Sequence, residues 1–199
     1  MERGQRQVQR SKQAFITALV ELLRETTYQN ITVDEIAAHA NLGRSTFYRH
    51  FQSKADVLVE MHKALFARPE FGLLATNQAD PNLPPPGLVR MLELFKQAGA
   101  LPISLTGLGD DADYLLRQIS QLLHNAIEEQ LRHLLVEAES TIPVPILAQS
   151  ITGVYLWVLR GALEGQFPFT PYELAITIQR LQRALVHEAL RKVDEKHSQ

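Results

Sequence analysis

Apolar residues recur along this chain at helical spacing, and the period-two alternation of a half-buried strand is absent. Ala14, Phe15, Ala18, Leu19, Leu22 and Leu23 form pairs repeating every four residues, the wide stripe of a first helix over about 11–26. Thr32, followed three residues on by Glu35, has the form of a capping box. It opens a short second helix, Val33 to His39, with Ile36, Ala37 and Ala40 facing inward. Asn41-Leu42-Gly43 reads as a tight turn, because Asn and Gly both tolerate positive φ. A third short helix runs from Arg44 to about His50, with Phe47 and Phe51 on its apolar side. Ser53 as N-cap and Asp56 at the third position start a fourth, whose apolar face is Val57, Leu58, Met61, Leu65 and Phe66.

The pattern changes beyond Arg68-Pro69. Four prolines within residues 76–87 exclude a continuous helix and predict an exposed connection. Helices resume over about 87–98 and, after a glycine-broken stretch, over 111–139, as one helix or two in line. Pro143 and Pro145 separate these from a strongly apolar helix at 146–164, and a last helix runs from Pro171 to Val193. The fold class is therefore all-α, an N-terminal three-helix helix-turn-helix domain followed by a helical bundle. The expected division falls between residues 1–66 and residues 67–199.

Composition narrows the chemistry. The 199 residues contain no cysteine, which removes disulfides, thiolate metal sites and a thiol nucleophile. The basic opening MERGQRQVQRSKQ lacks the apolar run of a signal peptide, and no stretch has the length of a membrane span, so a cytoplasmic protein is expected. The net charge of −2 conceals an asymmetry: residues 1–66 carry +2 and residues 67–199 carry −4. A basic end on an acidic body suits a nucleic-acid module joined to something else.

Two short helices joined by a tight turn and packed through Ile36, Ala37, Ala40, Leu42 and Phe47 describe a helix-turn-helix. With Phe47 inward, Arg44, Ser45, Tyr48 and Arg49 face out, offering the forks and hydroxyls that bond to base edges and phosphates. The stretch Ile31–Leu58, ITVDEIAAHANLGRSTFYRHFQSKADVL, resembles the DNA-binding signature of the tetracycline-repressor (TetR) family of one-component bacterial transcriptional regulators. Thr32, Ile36, Ala37, Thr46, Tyr48, His50, Phe51, Ser53 and Lys54 stand at matching places, and the resemblance covers about residues 10–65. It implies that Thr32, Thr46, Tyr48, His50 and Lys54 hold phosphates while Arg44 and Ser45 face bases. Gly43 departs from the pattern, since the family often has Ser at that N-cap.

In the body, Leu147, Ile151, Val154, Val158, Gly161 and Gly165 share one face of the penultimate helix, and Gly153 and Gly161-x-x-x-Gly165 allow close approach. In the last helix Leu174, Ile178, Leu181 and Leu185 step by four, three and four, as in a coiled-coil seam. These stripes predict a two-fold four-helix interface through Val154, Val158, Gly161, Gly165, Leu174, Ile178, Leu181 and Leu185, the homodimer that reading a palindromic operator requires. The alternative is that they build only the core of one chain. An effector pocket is expected from Phe95, Tyr114, Ile119, Leu123, Tyr155 and Leu159, with Arg117 and Arg160 as anchors for an acidic group. The effector itself has no signature.

Enzyme signatures are lacking: no paired histidines at metal spacing, no G-x-S-x-G, no P-loop, and no cofactor motif. The expected partners are double-stranded DNA, a second copy of the chain and an unidentified small-molecule effector, with no membrane. Two other readings compete with a repressor: a helix-turn-helix protein that organises DNA, and a helical ligand carrier or small enzyme with vestigial DNA binding.

Overall fold

The computed structural model describes residues 2–67, 74, 83–97, 105–135, 140–163, 166 and 168–191, and every regular element among them is helical. In order these are α1 (Glu2–Glu25), α2 (Val33–His39), α3 (Arg44–His50), α4 (Lys54–Phe66), α5 (Pro86–Gln97), α6 (Ala112–Leu134), α7 (Val144–Leu163) and α8 (Pro171–Leu190), with 3-10 turns at Tyr28–Asn30 and Leu105–Asp111. The chain forms two compact units, residues 1–65 with 97–119, and residues 66–96 with 120–199.

The core of the first unit is aromatic. Phe15 of α1 meets the Phe47 ring of α3 edge-on at 5.2 Å and Phe51 at 6.1 Å, and Ile36, Ala37, Leu19 and Leu58 close around them. Burying each phenylalanine contributes about 1.5–3 kcal/mol, so these three rings fix α3 across α1 and α2. Leu108 and Leu115 enter the same core from residues 97–119, a stretch that the sequence reading assigned to the body. Helix α1 begins at Glu2, not near residue 11. Arg and Gln are good helix formers, and residues 4–10 are exposed, so this part of α1 has no apolar stripe to betray it.

In the second unit α7 and α8 pack against each other. Thr141, just before α7, donates its N–H to Ala189 O at the far end of α8, so the two run antiparallel. Thr170 and Glu173 form a complete capping box at the start of α8, with Pro171 in its first turn. Buried Leu147, Ala148, Ile151 and Tyr155 of α7 and Leu174, Ala175, Ile178 and Val186 of α8 supply the packed faces. Helix α6 is one continuous helix ending at Leu134, with Ala112–Ile119 in the first unit and the remainder in the second.

Candidate nucleic-acid interface

The turn between α2 and α3 differs from its sequence reading. Positive φ falls on Asn41, at 51°, whereas Gly43 sits at φ −73° and ψ 148°. Leu42 N–H reaches Ala37 O and Asn41 N–H reaches Ala38 O, both at 3.0 Å, the paired bonds of a Schellman motif with Asn41 in the left-handed place. Gly43 is then the N-cap of α3, without a side-chain bond to offer. With the chain so turned, Phe47 is fully buried and Arg44, Ser45, Tyr48 and Arg49 are exposed together on the outer face of α3. Thr46 and His50 lie half-buried at its margins.

Arg44 is ordered by two neighbours. Its Nη1 lies 3.1 Å from Oδ1 and 3.2 Å from Oδ2 of Asp34 on α2, and its Nη2 donates to the Tyr48 hydroxyl at 3.4 Å. The guanidinium stands 5.5 Å from the centre of the Tyr48 ring. The bond to Tyr48 and then the charge of Asp34 hold Arg44 still more firmly in its charged form. Asp34 was missed from sequence; an acid spaced ten residues before Arg44 gives no signal until the turn folds α2 back beside α3. His50 is pushed toward its neutral form by partial burial first, then by the charges of Arg49 and Lys12.

Two expected phosphate ligands are otherwise engaged. The Thr32 hydroxyl donates to Glu35 Oε2 at 2.8 Å and accepts from Glu35 N–H at 3.2 Å, completing the capping box. Its single proton is thereby committed to Glu35. The Lys54 ammonium donates to the carbonyls of Tyr28 at 2.7 Å, Ile31 at 2.8 Å and Gln29 at 3.3 Å, and stands 4.3 Å from the centre of the Tyr28 ring. An ammonium has three protons, and these bonds use all of them. Lys54 thereby ties the 3-10 turn to α4.

Tyr114, expected in an effector pocket, also belongs to this unit: its hydroxyl donates to Asp56 Oδ1 at 2.6 Å. Asp56 Oδ2 accepts from Gln52 N–H and Ser53 N–H, so one carboxylate both caps α4 and holds the start of α6. Beside it, the Tyr28 hydroxyl donates to Asp111 at 2.7 Å. Arg117 is exposed and lines no interior, and the Phe95 side chain lies outside the described residues.

In the second unit Tyr155 is buried and bonded to Gln182, Leu159 is half-buried and Arg160 is exposed. Gln179, 1% exposed, has neither amide atom hydrogen-bonded, and Gln182 Nε2 is likewise unpaired. Of the expected dimer residues, Leu174 and Ile178 are corrected: the chain's own core already buries them, leaving no surface for a second copy. Gly161 is buried, Val154, Val158 and Leu185 are half-buried, Leu181 is exposed, and Gly165 lies outside the described residues. The open apolar stripe of α7 is Ile146, Gly153 and Trp157, with Trp157 68% exposed and nothing within 4 Å of a Cβ at Gly153. Among the described residues no group of acids and histidines is arranged to hold a metal ion, and no helix is long and apolar enough to cross a membrane.

Residues 15–61 match the model of the bacterial regulatory proteins of the tetR family. The transcriptional regulator AcuR of Cereibacter sphaeroides is 32% identical over 100 residues, 49% of this chain and 44% of that protein. The HTH-type transcriptional regulator EthR of Mycolicibacterium smegmatis is 33% identical over 97 residues, 47% of this chain and 45% of its own. The alignment thus spans less than half the length of either regulator. The crystal structure of Thermus thermophilus FadR, a TetR-family repressor in complex with lauroyl-CoA, shares the fold with a TM-score of 0.58 at 20% identity, over 94% of this chain and all of that one.

Proposed function

We propose, from the match of residues 15–61 to the model of the tetR family of bacterial regulatory proteins, that the chain is a DNA-binding transcriptional repressor of that family acting in the cytoplasm. The observation that carries this reading is the outer face of α3, where Arg44, Ser45, Tyr48 and Arg49 stand exposed on a helix anchored by Phe47. A short helix so presented fits the major groove, about 12 Å wide, with Arg44 and Ser45 toward bases and Thr46, Tyr48, Arg49 and His50 toward phosphates. A seven-residue helix reads few base pairs, so two copies are needed about 34–36 Å apart on a palindrome. The exposed Ile146, Gly153 and Trp157 of α7 and the exposed Leu181 of α8 support self-pairing through these two helices.

Release by an effector completes the proposal. The inner face of α7 and α8, where Tyr155, Gln179 and Gln182 place polar atoms in apolar surroundings, is the place we assign to it. The bonds of Tyr114 to Asp56 and Tyr28 to Asp111 fasten the start of α6 to the reading unit. A ligand that favoured one arrangement of α6 would thereby bias the reading heads, by no more than its differential affinity. Selection of genomic fragments on the purified full chain tests the function. We expect a few palindromic sites beside promoters. Many scattered sites would indicate a DNA-organising protein, and no fragment retained at low salt would remove DNA binding altogether.

A further inference from the structure

The carboxylate of Asp34 is an unexpected companion for a DNA-reading arginine, since it repels phosphates and yet lies beside the first residue of α3. We propose that Asp34 is a specificity-determining positioning residue, which holds Arg44 so that its guanidinium meets one base pair in a single orientation. The inference rests on α3 being the DNA-reading helix.

A free arginine side chain loses rotamer entropy when it binds a base. Here much of that ordering precedes DNA: Asp34 takes Nη1 at 3.1 Å, Tyr48 takes Nη2 at 3.4 Å, and the Tyr48 ring lies 5.5 Å away. A guanidinium has five N–H donors. Those two contacts leave three, enough for the paired bonds to O6 and N7 of guanine. The carboxylate adds discrimination of its own. Beside the arginine it accepts from an amino group, on cytosine N4 or adenine N6, and repels the acceptor edges of thymine and guanine, so its discrimination falls on the base next to the one that Arg44 reads. The structure therefore favours a guanine under Arg44 with an amino-bearing base adjacent to it.

The test compares the wild-type full chain with Asp34→Asn, Asp34→Glu and Arg44→Ala by selection from a randomised duplex library. Arg44→Ala should abolish a guanine preference at one base pair of each half-site. Asp34→Asn should reduce that same preference roughly tenfold, while overall binding holds or rises because one repulsive charge is gone. Asp34→Glu, which keeps a carboxylate, should restore part of it, and loss of the preference in Asp34→Asn without a matching loss of stability in urea separates this from a helix-start effect on α2. Tighter binding by Asp34→Asn to every sequence, with the guanine preference intact, would reduce Asp34 to a background charge and overturn the proposal. If Arg44→Ala also left the selected sequence unchanged, the reading of α3 itself would fall.

Discussion

Lys54 shows how a residue can match a family signature and yet be spent on the fold. Its ammonium closes three carbonyls at the end of the 3-10 turn, and desolvation draws it below the ordinary lysine range despite nearby Asp111 and Glu35. Lys54→Met should therefore lower stability by about 1–2 kcal/mol in urea denaturation, with the salt dependence of DNA binding unchanged. A salt slope shallower by about one unit with stability intact would return Lys54 to the phosphates. His62 of α4 makes a different prediction. It is buried, Nδ1 lies 2.7 Å from Leu58 O, and burial holds it in its neutral form below the usual imidazole range. The unfolded chain thus takes up a proton near pH 6.5 that the native state still refuses. Stability is full above that pH and falls as the pH drops through it. In His62→Gln, which keeps a donor for Leu58 O, the urea midpoint should drop less between about pH 7.5 and 5.5 than in the wild type.

At the scale of elements, the α2–α3 turn divides its work between two residues. Asn41 carries the left-handed conformation, and Gly43 has extended backbone whose added Cβ would meet only the Ser45 and Thr46 hydroxyls at 3.6 and 3.9 Å. Asn41→Gly should be neutral or slightly stabilising, and Asn41→Val should cost about 1–2 kcal/mol because a β-branched side chain crowds its backbone at φ 51°. Thermal denaturation of the two variants checks this ordering; equal stabilities would place the strain elsewhere. The helices themselves were legible because apolar residues recur at helical spacing within each, as Phe15, Ala18 and Leu19 in α1 and Leu147, Ile151 and Tyr155 in α7, and these are buried. The first turns of α1 were not, because Arg6, Gln7 and Arg10 face solvent.

For the whole molecule, the question is which apolar surface one chain leaves uncovered. Ile178 is wholly buried, whereas Trp157 is mostly exposed, so replacing each should damage a different property. Ile178→Ala should cost about 2–5 kcal/mol of folding stability. Trp157→Glu should leave the fold intact and give monomers in sedimentation, with operator affinity lost alongside. Dimers of Trp157→Glu at micromolar concentration would place the interface off this stripe.

The sequence by itself determined an all-helical chain, the helix-turn-helix and its exposed face. These rest on local periodicity, caps and the side chains of one short segment, which neighbours only a few residues apart decide. Only the folding of the whole chain set the rest: that Lys54 turns its ammonium onto the 3-10 turn, that Tyr114 serves Asp56, that Asp34 meets Arg44, and that Leu174 and Ile178 of α8 are core. A hydrogen-bonding group takes whichever partner folding brings within about 3 Å. That choice depends on chain reversals and distant elements, which no spacing within a single helix encodes.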